Sequence, residues 1–296
     1  MEHKSDGADV SVQDGIEPQG GEQEKSFFGI IVHSFFIVPF LIAVFSVLLF
    51  VAVRLLTMEA RTAHDYLNDV KVGGLTKRWQ SAFELSKILS NPKSAPQDAR
   101  FTAELIRAFE ESSHDDSRIR QYLALAMGQM GKKDFVKPLL SALRDEKEEN
   151  LYAVIYALGL LRDAQSVEQI LTYLDHPSAR IRLVSVMTLG NLGDRLAVLP
   201  LRKMLNDSQP NVVWDAAIAL AKLKDEAGCD ILERILDREY LRKFPEVDAM
   251  EQTQIILVAI EASQNLDNEK LNKAIARLCA SDANMEVRKA ALAAKK

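Results

Sequence analysis

The sequence predicts an all-α fold, a solenoid of stacked helix pairs that follows one N-terminal transmembrane helix. Three observations carry this reading. Residues 27–53 run without a single Asp, Glu, Lys or Arg. Gly128, Gly159, Gly190 and Ala221 recur every 31 residues inside four alignable segments, and a fixed period near thirty marks a solenoid of helical units. Gly and Pro number only 13 and 9 in 296 residues, while 48% apolar content suffices for a substantial core.

The elements follow in order. Residues 1–26 hold seven acids against Lys4 and Lys25, a net −5 that equals the charge of the whole chain. Polar and acidic, this tail is expected to be disordered. The remainder balances 35 acids with 35 bases, and a neutral body excludes nucleic acid as the main partner, because phosphate binding needs a basic excess. The apolar run 27–53 would be about 40 Å long as a helix, more than the ~30 Å hydrocarbon core requires. It has neither the basic leader nor the cleavage site of a secretory signal and reads as an uncleaved anchor in a lipid bilayer. Arg54, Arg61 and Lys71 follow it, whereas only Lys25 lies close before it. Positive-inside bias therefore puts the tail outside and the large C-terminal part in the cytoplasm. Pro39 predicts a kink in the span. His33, ionisable but near the end of the span, reads as a neutral interfacial histidine.

Residues 54–72 place Leu56, Ala60, Ala63, Leu67 and Val70 at helical spacing, which predicts a juxtamembrane stalk helix. Gly73-Gly74 would hinge it to the solenoid, residues 73–296. There, "IRQYLALAMGQMG", "NLYAVIYALGLL", "IRLVSVMTLGNLG" and "VVWDAAIALAKL" begin four units. Each reads as a helix A ending near the glycine, a turn, and a helix B. A divergent first unit, "KRWQSAFELSKIL", has Ser86 at the glycine position, with an insertion around "NPKSAPQDAR". A second insertion, Arg238–Met250, precedes a sixth unit. A seventh A helix carries Lys289, Lys295 and Lys296 as a polar end, which discourages end-to-end stacking.

In "DDSRIRQYLALAMGQMG", "SARIRLVSVMTLGNLGD" and "EVRKAALAAKK", the run of Asp, then a branched apolar residue and Arg, then an Ala- and Leu-rich helix resembles the HEAT-repeat family. The resemblance is strongest to the short bacterial kind named after phycobilisome lyases and covers about residues 74–296. It implies a right-handed α-solenoid of about six units, and a bacterial inner membrane for the anchor. It is nearly silent on function, because such families are defined by core packing. Bilin lyase activity is implied only by the name of the repeat class and stands as a weaker alternative.

Stacking the units separates core from surface. On helix B, Val136, Val167, Val198 and Cys229 form one apolar column, and Leu139, Ile170, Leu201 and Leu232 another. Cys229 reads as a small core residue. Ser141, Thr172, Lys203 and Arg234, with Lys137, Glu168 and Asp230, form a mixed-charge face. Helix A deviates from the family. The position after the Arg column (Arg78, Arg120, Arg182) and the one four later are usually polar there. Here they read Trp79 and Phe83, Gln121 and Leu125, Tyr152 and Tyr156, Leu183 and Met187, Trp214 and Ile218. Residues four apart share a helix face, so these pairs predict a continuous apolar ridge. Such a ridge marks a docking surface for a protein partner near the membrane, a self-association surface, or a face covered by the stalk or the insertions.

Catalytic sets are thin. The five histidines are followed by Lys, Ser, Asp, Asp and Pro, unlike the His-Glu pairs of HEAT-type metal hydroxylases. His64-Asp65 and His114-Asp115 lie about fifty residues apart and read as solvated surface. "GGLTKR" lacks the order of a phosphate-binding loop, and Cys229 and Cys279 make neither a disulfide framework nor a metal cluster. The expectation is a binding protein without enzymatic activity, metal or cofactor.

Overall fold

A computed structural model describes residues 33–57, 61–144 and 147–295, with side chains from Phe35 to Arg54 in the first stretch. The acidic tail 1–26, the start of the apolar run, the side chains of His33, Leu56 and Ala60, and Lys296 lie outside the described residues. The chain divides into two compact units, with the boundary between Ala60 and Arg61.

In the first unit, a π-helical turn at His33–Ile37 leads into α1, Val38–Thr57. Pro39 is the second residue of α1, directly after the π-helical turn. Its missing N–H falls where the hydrogen-bond pattern changes from π to α, in the first turn of α1. The stretch Phe35–Arg54 is long and apolar enough to cross a membrane, and none of it is buried within the protein.

The second unit begins with α2, Ala63–Val72, whose N-terminus is closed by a capping box between Thr62 and Asp65. Ala63, Leu67 and Val70 are buried. The helix expected as a stalk thus packs against α3, Leu75–Leu89, as part of the solenoid core. Four helix pairs follow: α4 Ala99–Glu111 with α5 Ser117–Met130, α6 Val136–Ala142 with α7 Glu148–Leu161, α8 Val167–Leu171 with α9 Ala179–Leu192, and α10 Val198–Met204 with α11 Pro210–Lys222. Then come α12 Cys229–Ile235, the short α13 Arg238–Leu241, α14 Ala249–Ser263, α15 Glu269–Ser281 and α16 Met285–Ala294. The A helices α3, α5, α7, α9 and α11 stack each on the next. The described residues contain no strand.

The 31-residue period has a physical cause in those A helices. A Cβ built on Gly128 would lie 2.8 Å from the Cα of Ala157, and one on Gly190 would lie 2.8 Å from the Cβ of Ala219. On Gly159 it would meet the Thr188 hydroxyl at 3.0 Å. Each glycine lets one A helix lie directly on the backbone or Cβ of its successor. Gly128→Ala is accordingly expected to cost about 1–3 kcal/mol through overpacking. Urea unfolding should show a lower midpoint at unchanged slope, and an unmoved midpoint would refute the close approach.

The same period sets the helix ends. Gly131, Arg162, Gly193 and Lys224 all take left-handed φ values, 67°, 50°, 74° and 60°. The next residues, Asp163, Asp194 and Asp225, each accept a backbone N–H from two residues on. In the B helices, Leu139, Ile170, Leu201 and Leu232 are fully buried, and Ser141, Thr172, Lys203 and Arg234 are exposed. Cys229 is 8% exposed, and burial pushes its thiol pKa up, with Glu226 and Asp230 adding to the effect. The Arg column does structural work. Arg78 forks onto Asp115 at 2.9 and 2.5 Å, and Arg182 onto Asp207 at 2.7 and 2.8 Å. Arg120 donates to the Phe109 carbonyl from a buried position.

Candidate protein-binding face

The A helices bring the first four rungs of the expected ridge onto stacked neighbours. Trp79 is half-buried, with the Arg118 guanidinium 4.5 Å above its ring. Phe83, 40% exposed, meets Tyr122 edge-on at 5.3 Å. The second rung is partly polar: Gln121 donates to the Glu149 carbonyl at 2.9 Å and to Asn150 Oδ1 at 3.2 Å, beside half-buried Leu125. Tyr152 and Tyr156 are half-buried and stacked, with centroids 6.4 Å apart and rings 5° from parallel. Arg180 lies 4.6 Å over the Tyr152 ring. Leu183 and Met187 are half-buried.

The fifth rung differs. Trp214 and Ile218 are buried, 4% and 6% exposed. The insertion after α12 folds over them: Phe244 meets the Trp214 ring edge-on at 4.9 Å, and the indole N–H donates to the Tyr240 hydroxyl at 3.2 Å. Internal cover, one of the alternatives left open by the sequence, is realised at this rung. The half-exposed ridge runs from Trp79 to Met187.

Several residues outside the expected positions also line this face or cover it. Arg118 and Arg180 each stand two residues before the Arg column, and the same stacking of units could have exposed them. Tyr122 sits beside an expected position. Tyr240 and Phe244, four apart in the insertion, were legible as an aromatic pair but not as a cover for Trp214.

Beside Trp214, α11 and α14 enclose a cleft of about 580 Å3. Asp215 lines it, and desolvation pushes its carboxyl up to about 6, only partly opposed by Lys222. Three members of the candidate His-Asp pairs have structural partners. His64 faces Asp98 at 3.4 Å, Asp65 caps α2, and Asp115 is the partner of Arg78. Among the described residues, no group of three or more His, Cys, Asp or Glu is arranged to hold a metal ion.

Residues 102–174 and 167–243 match the family model for HEAT repeats. The bilin biosynthesis protein PecE of Nostoc sp. (strain PCC 7120) is 32% identical over 110 residues, 37% of this chain. The chain spans about 40% of the length of that relative. The complex of CpcE and CpcF of phycocyanin lyase from Nostoc sp. PCC7120 aligns with a TM-score of 0.54 at 19% identity, covering 80% of this chain and 96% of that one. At that identity the likeness is one of fold.

Proposed function

Because the body of this chain is a solenoid of HEAT-like repeats, we propose that it serves as a membrane-tethered scaffold that binds a protein partner, itself membrane-associated. The docking surface in this reading is the A-helix face from Trp79 to Met187. The observation that carries it is the row of half-exposed aromatic rings, Trp79, Phe83, Tyr122, Tyr152 and Tyr156, on consecutive helices. Tyr and Trp dominate interface energies because they combine large apolar area with few rotors. Arginines over two of the rings supply the polar rim typical of such surfaces.

The fully exposed apolar helix Phe35–Arg54 supports the anchor. In this reading residues 27–53 span a bacterial inner membrane, the tail 1–26 lies outside, and the body lies in the cytoplasm. Tethering raises the local concentration of the ridge near its partner, so a modest intrinsic affinity suffices.

Replacing Phe83, Tyr152 and Tyr156 together by Ser tests the reading. Crosslinking in native membranes followed by purification should recover the partner with wild type and lose it with the triple variant, whose helicity and melting stay close to wild type. Retention of the partner, or global unfolding, would overturn it. A shift of the wild-type chain to a dimer in light scattering, abolished by the same substitutions, would assign the ridge to self-association instead.

The likeness to PecE favours a second reading, a part in bilin handling. A red-shifted absorbance on mixing the purified chain with a free bilin would support it, and an unchanged spectrum would count against it.

A further inference from the structure

Two aromatic rungs of the ridge share a contact that the fifth lacks. Trp79 and Tyr152 each receive a guanidinium from the next A helix, Arg118 at 4.5 Å and Arg180 at 4.6 Å. A cation over an aromatic face gains from the ring quadrupole, most with tryptophan. Trp214 is met edge-on by Tyr240 and Phe244 instead, and α14 contributes Met250 and Glu251, and no arginine, to the cleft beside it. The cleft of about 580 Å3 opens at this point.

The cleft has the composition of a site for a cation on an apolar stem. Trp214, Ile218 and Ile255 line it, while Asp215, Glu246 and Glu251 supply three carboxylates. No described residue lining it is basic. Glu251 accepts the Asp248 backbone N–H at 3.1 Å and Glu246 is exposed. The Asp215 carboxylate accepts no hydrogen bond from any described residue and is half-buried. Met250, 71% exposed, forms an apolar lip. A guanidinium satisfies such carboxylates with a planar fork while its methylene stem covers apolar wall.

We infer that this cleft receives an arginine side chain from an apolar-flanked segment of the protein partner, placing its guanidinium against Asp215 beside Trp214. The inference rests on the protein-binding reading and names the chemistry of one contact. Charge complementarity chooses the occupant: a neutral apolar side chain would leave the half-buried Asp215 unanswered, and an acidic one would be repelled by the three carboxylates.

The test uses the full chain in detergent, labelled with fluorotryptophan, whose two tryptophans give two fluorine resonances assigned through Trp79→Phe. The probe is the blocked peptide Ala-Leu-Arg-Leu-Ala, with Gln and Glu counterparts at its centre. The arginine peptide should move the Trp214 resonance saturably and leave that of Trp79 in place. The Gln peptide should bind about tenfold more weakly or worse, and Asp215→Asn should weaken the arginine peptide by about tenfold, as loss of a partly desolvated charge pair requires. Equal binding of the Arg and Gln peptides, an unmoved Trp214 resonance, or an unaffected Asp215→Asn variant would overturn the inference. The Phe83, Tyr152 and Tyr156 triple variant separates the two readings. Peptide binding retained while this variant still holds the native partner sinks the ridge alone, whereas loss of the partner without any peptide response sinks the cleft alone.

Discussion

Asp215→Asn should stabilise the protein at pH 7.5 and leave its stability unchanged at pH 3.5. Asp215 lies on α11 between Trp214 and Ala216, on the wall of the cleft, and desolvation raises its pKa from the ordinary 3.8 to about 6. Lys222 on the same helix lowers it in part. The exposed Glu246 and Glu251, brought by the insertion and α14, are the other ionisable groups lining the cleft with it. The native state therefore holds the proton more tightly than the unfolded chain does, so stability falls as pH rises between the two values. Below 3.8 both states are protonated and nothing is lost; above about 6 the full penalty applies. A difference of this size corresponds to about 3 kcal/mol, and solvent at the cleft mouth brings the expected gain for Asn to about 1–3 kcal/mol. Asn matches the neutral acid in shape and has no charge to desolvate. Urea midpoints at the two pH values decide it: an Asn variant no more stable than wild type at pH 7.5 would show that Asp215 is solvated. The outcome also bears on the peptide experiment, because a stabilised variant that loses arginine binding cannot have lost it by unfolding.

The repeat was legible because its determinants are local and recur. Gly128, Gly159 and Gly190 announce close helix crossings, and Arg78 and Arg182 announce joints with Asp115 and Asp207. The apolar B-helix columns predicted burial correctly for Leu139, Ile170, Leu201 and Leu232. What escaped depends on contacts across sequence or on fine backbone geometry. Trp214 and Tyr152 occupy equivalent positions, and nothing within their own helices distinguishes them. One is buried and the other half-exposed because Tyr240 and Phe244 fold back over Trp214 alone. Asp215 reads as an ordinary surface acid until that insertion walls off its solvent. Leu67 and Val70 gave the correct helix face, but periodicity cannot say whether an apolar face meets a bilayer-proximal stalk or a solenoid core. The change from π to α beside Pro39 is a matter of backbone geometry that the residue pattern does not encode.

Arg182→Leu should be a severely damaging substitution at a joint of the solenoid, costing about 3–5 kcal/mol. Its guanidinium forks onto Asp207 at 2.7 and 2.8 Å and also donates to the His176 and Pro177 carbonyls at 2.9 and 3.1 Å. The side chains are only 13% and 6% exposed, so removing the cation strands a buried carboxylate. The penalty comes from that orphaned charge and not from the net worth of the pair. Restoring charge balance should therefore recover most of it, and the double variant Arg182→Leu, Asp207→Leu is expected to be far more stable than Arg182→Leu alone. The hydrogen bonds from Arg182 hold the Asp207 carboxyl below the ordinary 3.8. Its contribution is thus full above pH 3.8 and fades as pH falls through the lower native value, so wild type and Arg182→Leu should converge in acid. Arg202 and Asp225 form a similar fork, but Arg202 is 49% exposed, and Arg202→Leu is expected to cost less than about 1 kcal/mol. Nearest-neighbour coupling makes the contrast informative, since a solenoid is held by the sum of its interfaces. Unfolding followed at the flanking units should lose its single transition in Arg182→Leu and keep it in Arg202→Leu. Equal costs for the two arginines would show that burial does not decide the strength of these joints.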